Sequence, residues 1–207
     1  MRLSSTSACS GASPFLPTLP LGPVPDIIGD GTRLLFVGIN PGLRSAQLGQ
    51  HFATRSNRFW PALTAAGLIP AGFGPQDQER LPEFGLGITN LVARPTARAD
   101  QLDASELVAG ADHLTRRLNQ WRPQVCAMLG ITAYRVAFGR PKAVVGLQFA
   151  QGERPRWWVL YNPSGLNAHA RLCDHVAGLR AAARDAGLRQ HGGPSRDPAD
   201  WGLLPPP

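Results

Sequence analysis

Two asparagines in this chain are placed to do chemistry. Asn40 closes the stretch RLLFVGINPG and Asn162 closes RWWVLYNPSGL; each follows a short apolar run, precedes a proline and lies close to a glycine. Proline locks φ, and glycine admits backbone conformations and close approaches that other residues resist. Each carboxamide should therefore sit on a stiff turn. Asn-Pro also initiates ordinary turns, but here two copies each end an apolar run. A carboxamide offers one acceptor oxygen and two donor hydrogens without carrying charge. Two such turns on one rim would make the opposing walls of a ligand site.

That rim requires a frame. Apolar runs at 33–38, 88–92, 124–129, 143–149 and 156–161 read as strands, and periodic patterns at 57–66, 105–121, 132–138 and 168–186 read as helices. Asp103 and Glu106 have the spacing of a capping box at the start of the second helix. Leu172, Val176, Leu179 and Ala183 form one apolar stripe on the last helix. Strands alternating with helices predict an α/β fold of three layers, a mainly parallel central sheet with helices on both faces. Ligands in such sheets bind beyond the carboxyl ends of the strands, where Asn40 and Asn162 would lie. Residues 1–28 are expected to be a flexible Pro/Ser-rich arm, 29–190 the α/β domain and 191–207 a Pro-rich tail.

The chain has 207 residues and a formal charge of +7, and Lys142 is its only lysine. Between Gly31 and Gln76 the charged residues are Arg33, Arg44, Arg55 and Arg58, with no Asp or Glu; residues 113–152 likewise carry only basic charges. Such acid-free stretches suit a phosphate backbone. No apolar run is long enough to span a membrane, so no membrane partner is expected. Cys9, Cys126 and Cys173 are too dispersed for a zinc or iron–sulfur site and read as reduced thiols. With no apolar leader segment, a cytoplasmic location is expected. The chain shows no metal cluster and no dinucleotide fingerprint, so no cofactor and no metal are expected.

Four stretches together carry a resemblance: GINPG at 38–42, HFATRSNRFWPAL at 51–63, ITNLVARPT at 88–96 and NPSGL at 162–166. In order and spacing they resemble the uracil-DNA glycosylase superfamily, and within it the mismatch-specific uracil/thymine branch (the Mug and thymine-DNA glycosylase group). The resemblance spans roughly residues 33–187. It implies an enzyme that flips a mispaired or damaged base out of double-stranded DNA and hydrolyses its N-glycosidic bond. Extrusion costs a few kcal/mol, less for a base already mispaired.

The resemblance also implies roles. Leu166 would be the apolar wedge that fills the gap, on a loop of Asn162, Pro163, Ser164 and Gly165; wedges of this kind occur in other DNA-bending proteins. Phe52 would stack on the extruded pyrimidine, a contact worth ~1–3 kcal/mol, with Ile39 and Asn90 completing the base pocket. Asn40 would orient the attacking water, which suffices where the transition state resembles an oxocarbenium ion. Arg44, Arg58, His169 and Arg171 are candidate DNA contacts, with helix capping the alternative at Arg58. Phe59 and Trp60 read as core. A lysine nucleophile is expected to be absent, since Lys142 lies outside the four stretches; a monofunctional, monomeric hydrolase is implied.

Two departures stand out. Ala93 occupies a catalytic position that is commonly acidic in the family, which implies attenuated catalysis and makes Asp100 the nearest downstream carboxylate. Ala168 stands two residues after Leu166, where the bacterial branch usually has arginine, leaving His169 or Arg171 to contact the widowed partner base. The rival readings are a lesion-binding protein that releases no base, and an unrelated α/β enzyme for a nucleotide or sugar phosphate.

Overall fold

A computed structural model describes residues 21–148, 155–167 and 170–189. Five strands, β1 (Leu34–Gly38), β2 (Leu86–Asn90), β3 (Val125–Leu129), β4 (Gly146–Gln148) and β5 (Arg156–Leu160), form one sheet in the order β2-β1-β3-β5-β4. β1, β2, β3 and β5 are parallel, with Phe36 beside Ile88 and Ala127, and β4 runs antiparallel along the edge beside β5. Every residue of β1, β2 and β3 is buried. This explains their near-continuous apolar character, because both faces of a parallel sheet are covered.

Successive strand residues point to opposite faces, and two cores result. Leu34, Phe36, Ile88 and Ala127 pack on one face against α2 (Phe59–Ala65) and α5 (Leu172–Asp185). On the other face, Leu35, Val37, Cys126 and Met128 pack against α3 (Ala104–Trp121) and α4 (Ile131–Ala137). The three-layer α/β expectation holds. A short α1 (Leu43–Leu48) and a 3₁₀ segment (Pro75–Phe84) complete the elements that shape the site.

Several expected boundaries move. The expected 143–149 strand starts only at Gly146, because side chains capture its leading carbonyls; it is described as far as Gln148, and Phe149 lies outside the described residues. Arg135 donates twice to Ala143 O, at 2.9 and 2.7 Å, and Gln148 Nε2 donates to Val144 O at 2.7 Å. The last helix starts at Leu172 rather than 168, with the Asp174 carboxylate accepting from the Arg171 N–H at 2.7 Å. Residues 21–28, expected in the arm, belong partly to the folded body. Val24 and Ile27 are buried, and Ile27 exchanges two 2.8 Å backbone hydrogen bonds with Ile88.

β1 connects toward β2 while β3 leads to the other side of the sheet, so the crevice beyond their carboxyl ends is a topological switch point. The 39–42 turn leaves β1 there, and Gly130 leaves β3 beside it. A side chain on Gly130 would meet Ile39 Cδ1 at 2.9 Å.

Candidate active site

A cavity of about 670 Å³ opens at this crevice, within the range of roughly 300–1,000 Å³ usual for small-ligand sites. Ile39, Asn40, Phe52, Asn90, Asn162, Ser164, Gly165 and Leu166 all line it, so residues 40 and 166 border one cavity. Pro163, on the same loop as Leu166, is buried. Ala93 is exposed and outside this lining, whereas Asp100 is the one carboxylate within it.

Asn40 is anchored through its nitrogen. Nδ2 donates to Arg94 O at 2.9 Å and to Thr96 Oγ1 at 2.7 Å. Thr96 donates in turn to Arg98 O at 2.7 Å. The Arg94 carbonyl can only accept, which fixes which end of the amide faces it. The carboxamide oxygen is left without a protein partner among the described residues, at the wall of the cavity. Arg94 is itself held to α3 by Glu106, at 2.8 and 2.7 Å. That guanidinium, together with the Asp103 N–H, draws the Glu106 carboxyl down to about 2.

Asn90 repeats the pattern. His51, 2% exposed, brings Nε2 within 2.8 Å of Pro25 O. A carbonyl cannot donate, so Nε2 carries the proton and Nδ1 is the acceptor. Asn90 Nδ2 lies 3.4 Å from that Nδ1, and Asn90 Oδ1 has no protein donor among the described residues. Burial lowers the His51 pKa from its ordinary value, with the Pro25 contact and Asp26 opposing more weakly. The ring is therefore neutral near pH 7. Two carboxamides thus face one cavity, each with its nitrogen engaged and its oxygen open.

Phe52 lines the same cavity. Its φ of 53° is in the left-handed region, rare for a bulky residue, and the surroundings over-determine it. The His51 N–H donates to Gln78 Oε1 at 2.7 Å, His51 O accepts from Trp60 Nε1 at 3.0 Å, and the Ala53 N–H donates to Ser45 Oγ at 3.1 Å. Gln78 also donates to Gly49 O at 2.8 Å. The Phe52 ring packs on Phe59, with centroids 4.3 Å apart. Phe59 and Trp60 are core, as expected.

The loop of residues 162–167 is equally constrained. Asn162 Oδ1 accepts from the Ser164 N–H at 2.9 Å, an Asx turn, and Asn167 Nδ2 donates to Asn162 O at 2.9 Å. Leu166 nevertheless projects outward, 76% exposed. Asn57 Oδ1 accepts from the Phe59 N–H at the start of α2, where Arg58 is the N-cap residue. Arg58 turns toward this loop, donating from Nη1 to Ser164 O at 3.3 Å and Asn167 O at 3.1 Å. Arg44 and Arg171 are exposed, and His169 lies outside the described residues.

Asp100 pairs with Arg98 at 2.6 Å, both largely exposed. Hydrogen bonding to that guanidinium lowers its pKa, so it is ionised at neutral pH. Among the described residues no cluster of His, Cys, Asp or Glu could hold a metal ion, and no helix is long and apolar enough to cross a membrane.

Sequence reasoning missed His51, Thr96, Gln78 and Ser45 as supports. Thr96 lay within a noted stretch, but its contact with Asn40 spans 56 residues of chain. Gln78 gave no signal, since it sits on a polar 3₁₀ segment without periodicity. A family model described as "Uracil DNA glycosylase superfamily" matches residues 25–184.

Proposed function

Because the chain belongs to the uracil DNA glycosylase superfamily, whose members hydrolyse N-glycosyl bonds in DNA, we propose that it acts as a repair enzyme of the mismatch-specific uracil/thymine branch. It takes a mispaired or damaged pyrimidine (uracil, with thymine and base adducts as further substrates) from duplex DNA. It leaves an abasic site, and it works as a monofunctional monomer without a cofactor. The observation that carries this reading is a pair of nitrogen-anchored carboxamides, Asn40 and Asn90, lining one cavity together with Phe52 and the exposed Leu166.

Leu166 enters the stack as the target nucleotide leaves it. The extruded base stacks on Phe52, and Asn90 Oδ1 accepts a hydrogen bond from its N–H edge. Asn40 Oδ1 accepts one hydrogen bond from a water molecule and turns the water's lone pair toward the anomeric carbon. As the glycosidic bond lengthens, the electron pair goes to the base and positive charge grows on the sugar. The ionised Asp100 on the same wall favours that charge. The water oxygen then bonds to the anomeric carbon and its proton passes to solvent or to the departing base. Alanine at 93 supplies no second carboxylate, which suits a slow enzyme; a positioned general base typically adds ~10²–10⁴-fold.

The test is release of uracil from duplexes in which it faces guanine, adenine or no partner, with protein in excess. Time-dependent release is expected, with no covalent adduct after borohydride reduction. Lesion-dependent binding without release would instead favour a recognition protein, the reading that Ala93 invites.

A further inference from the structure

Three polar groups of the wedge loop converge on one residue outside it. The Arg58 N–H donates to Pro163 O at 2.9 Å, and Arg58 Nη1 donates to both Ser164 O and Asn167 O. Arg58 immediately precedes α2, whose first residues, Phe59 and Trp60, are buried in the core. Its backbone is therefore fixed to the rigid body of the molecule. Beside it, Ser56 abuts the loop so closely that a side chain on Gly165 would meet Ser56 Oγ at 2.5 Å and Ser56 O at 2.9 Å. The loop carbonyls face the body, and Leu166 is the side chain left pointing out.

We propose that Arg58 is the positioning residue of the wedge: a guanidinium clamp that sets the 163–167 loop before DNA arrives, so that Leu166 enters the stack without the loop having to be ordered first. The inference rests on the glycosylase reading above. A flexible loop would lose conformational freedom on insertion, weakening the wedge; a clamped one has lost it already. Arginine suits the task because the two hydrogens of Nη1 are fixed in the guanidinium plane and reach Ser164 O and Asn167 O in set directions, whereas the ammonium of lysine rotates on a shorter stem. The role differs from phosphate contact, which the same residue type suggests in a basic chain: the Nη1 hydrogens go to carbonyl oxygens, while Nε and Nη2 still offer donors, so the two roles are separated by experiment.

The two roles make opposite predictions. A clamp matters most where the base must be prised from a pair, and a phosphate contact matters equally for all duplexes and lowers the salt slope of binding by about one. The experiment compares wild type, Arg58→Lys, Gly165→Ala, Leu166→Ala and the Arg58→Lys/Leu166→Ala double variant. Single-turnover uracil release is measured from duplexes with uracil opposite adenine and opposite no partner. Arg58→Lys is expected to lose roughly tenfold on the paired duplex, the scale of one or two hydrogen bonds, and markedly less on the unpaired one. In an added Arg58→Gln variant, which removes the charge, the salt slope should still match wild type; a slope lower by about one would mark a phosphate contact and overturn the inference. Gly165→Ala, whose new methyl group displaces the loop from Ser56, should show the same pattern as Arg58→Lys. The double variant should be no slower than Leu166→Ala alone, because a clamp has nothing to act through once the wedge is gone.

A second readout needs no turnover. A 2-aminopurine next to an uncleavable 2′-fluoro-uridine should brighten on saturation with wild type and less with Arg58→Lys. Equal loss on both duplexes, rescue by lysine or an additive double variant would overturn the inference. Failure of the wild type to release uracil from either duplex would instead overturn the glycosylase reading, a different result from any of these.

Discussion

Replacing Gly38 by alanine adds one methyl group where β1 runs beneath the base pocket. The new Cβ would lie 2.5 Å from Asn90 Oδ1 and 3.3 Å from Phe52 Cζ, the first well inside van der Waals contact. Neither neighbour can yield freely. Asn90 is tethered through its nitrogen toward His51, and Phe52 is backed by Phe59. Overpacking of this kind costs about 1–3 kcal/mol. If the strain is relieved by displacing the two pocket groups, the same energy appears in the transition state as roughly 10–100-fold, at about 1.4 kcal/mol per decade. The assay is single-turnover release of uracil from a duplex with uracil opposite guanine, alongside thermal melting. A drop in rate of that size with only a modest shift in melting temperature is expected. An unchanged rate would refute the claim that Asn90 and Phe52 form the pocket, and complete unfolding would mean that the strain is taken by the sheet.

Further outcomes follow from the electrostatics. Burial lowers the pKa values of His51 and His175, with Arg58 lowering His175 further. The unfolded chain therefore binds more protons than the folded one just below the ordinary histidine value of about 6.5. Stability should be full above that pH and decline as pH falls through it, read from melting temperature against pH; replacing His175 by glutamine should shrink the decline, and a flat profile between pH 7 and 5 would contradict both burials. Asp100→Asn should slow single-turnover release by about 10²-fold, the lower end for a carboxylate aiding proton transfer or charge, since Asp100 is exposed and already paired with Arg98. An unaltered rate would remove Asp100 from the chemistry.

The buried strands were legible because burial on both faces leaves almost nothing but apolar residues, as LLFVG in β1 shows. The edge strand β4 was legible as an element but its start was not, because Arg135 and Gln148 take the carbonyls that would have extended it toward residue 143. The 3₁₀ segment carries two prolines and little apolar periodicity, so its buried Gln78 could not be anticipated. In the site, the stiffness of the Asn40 turn followed from its proline and glycines. The direction of its amide did not, because that is set by Arg94 and Thr96 across the sheet. Arg58 shows the same limit. A charge in a basic stretch suggests a polyanion, and only the fold turns it back onto its own chain.

The central claim is that the open oxygen of Asn40 aims water at the sugar. Its most direct test is Asn40→Ala under single turnover on the duplex with uracil opposite guanine, with affinity for an uncleavable 2′-fluoro-uridine duplex measured in parallel. The account predicts release slowed by about 10²-fold or more, the scale of a lost positioning contact, with affinity little changed. Release at the wild-type rate would contradict it.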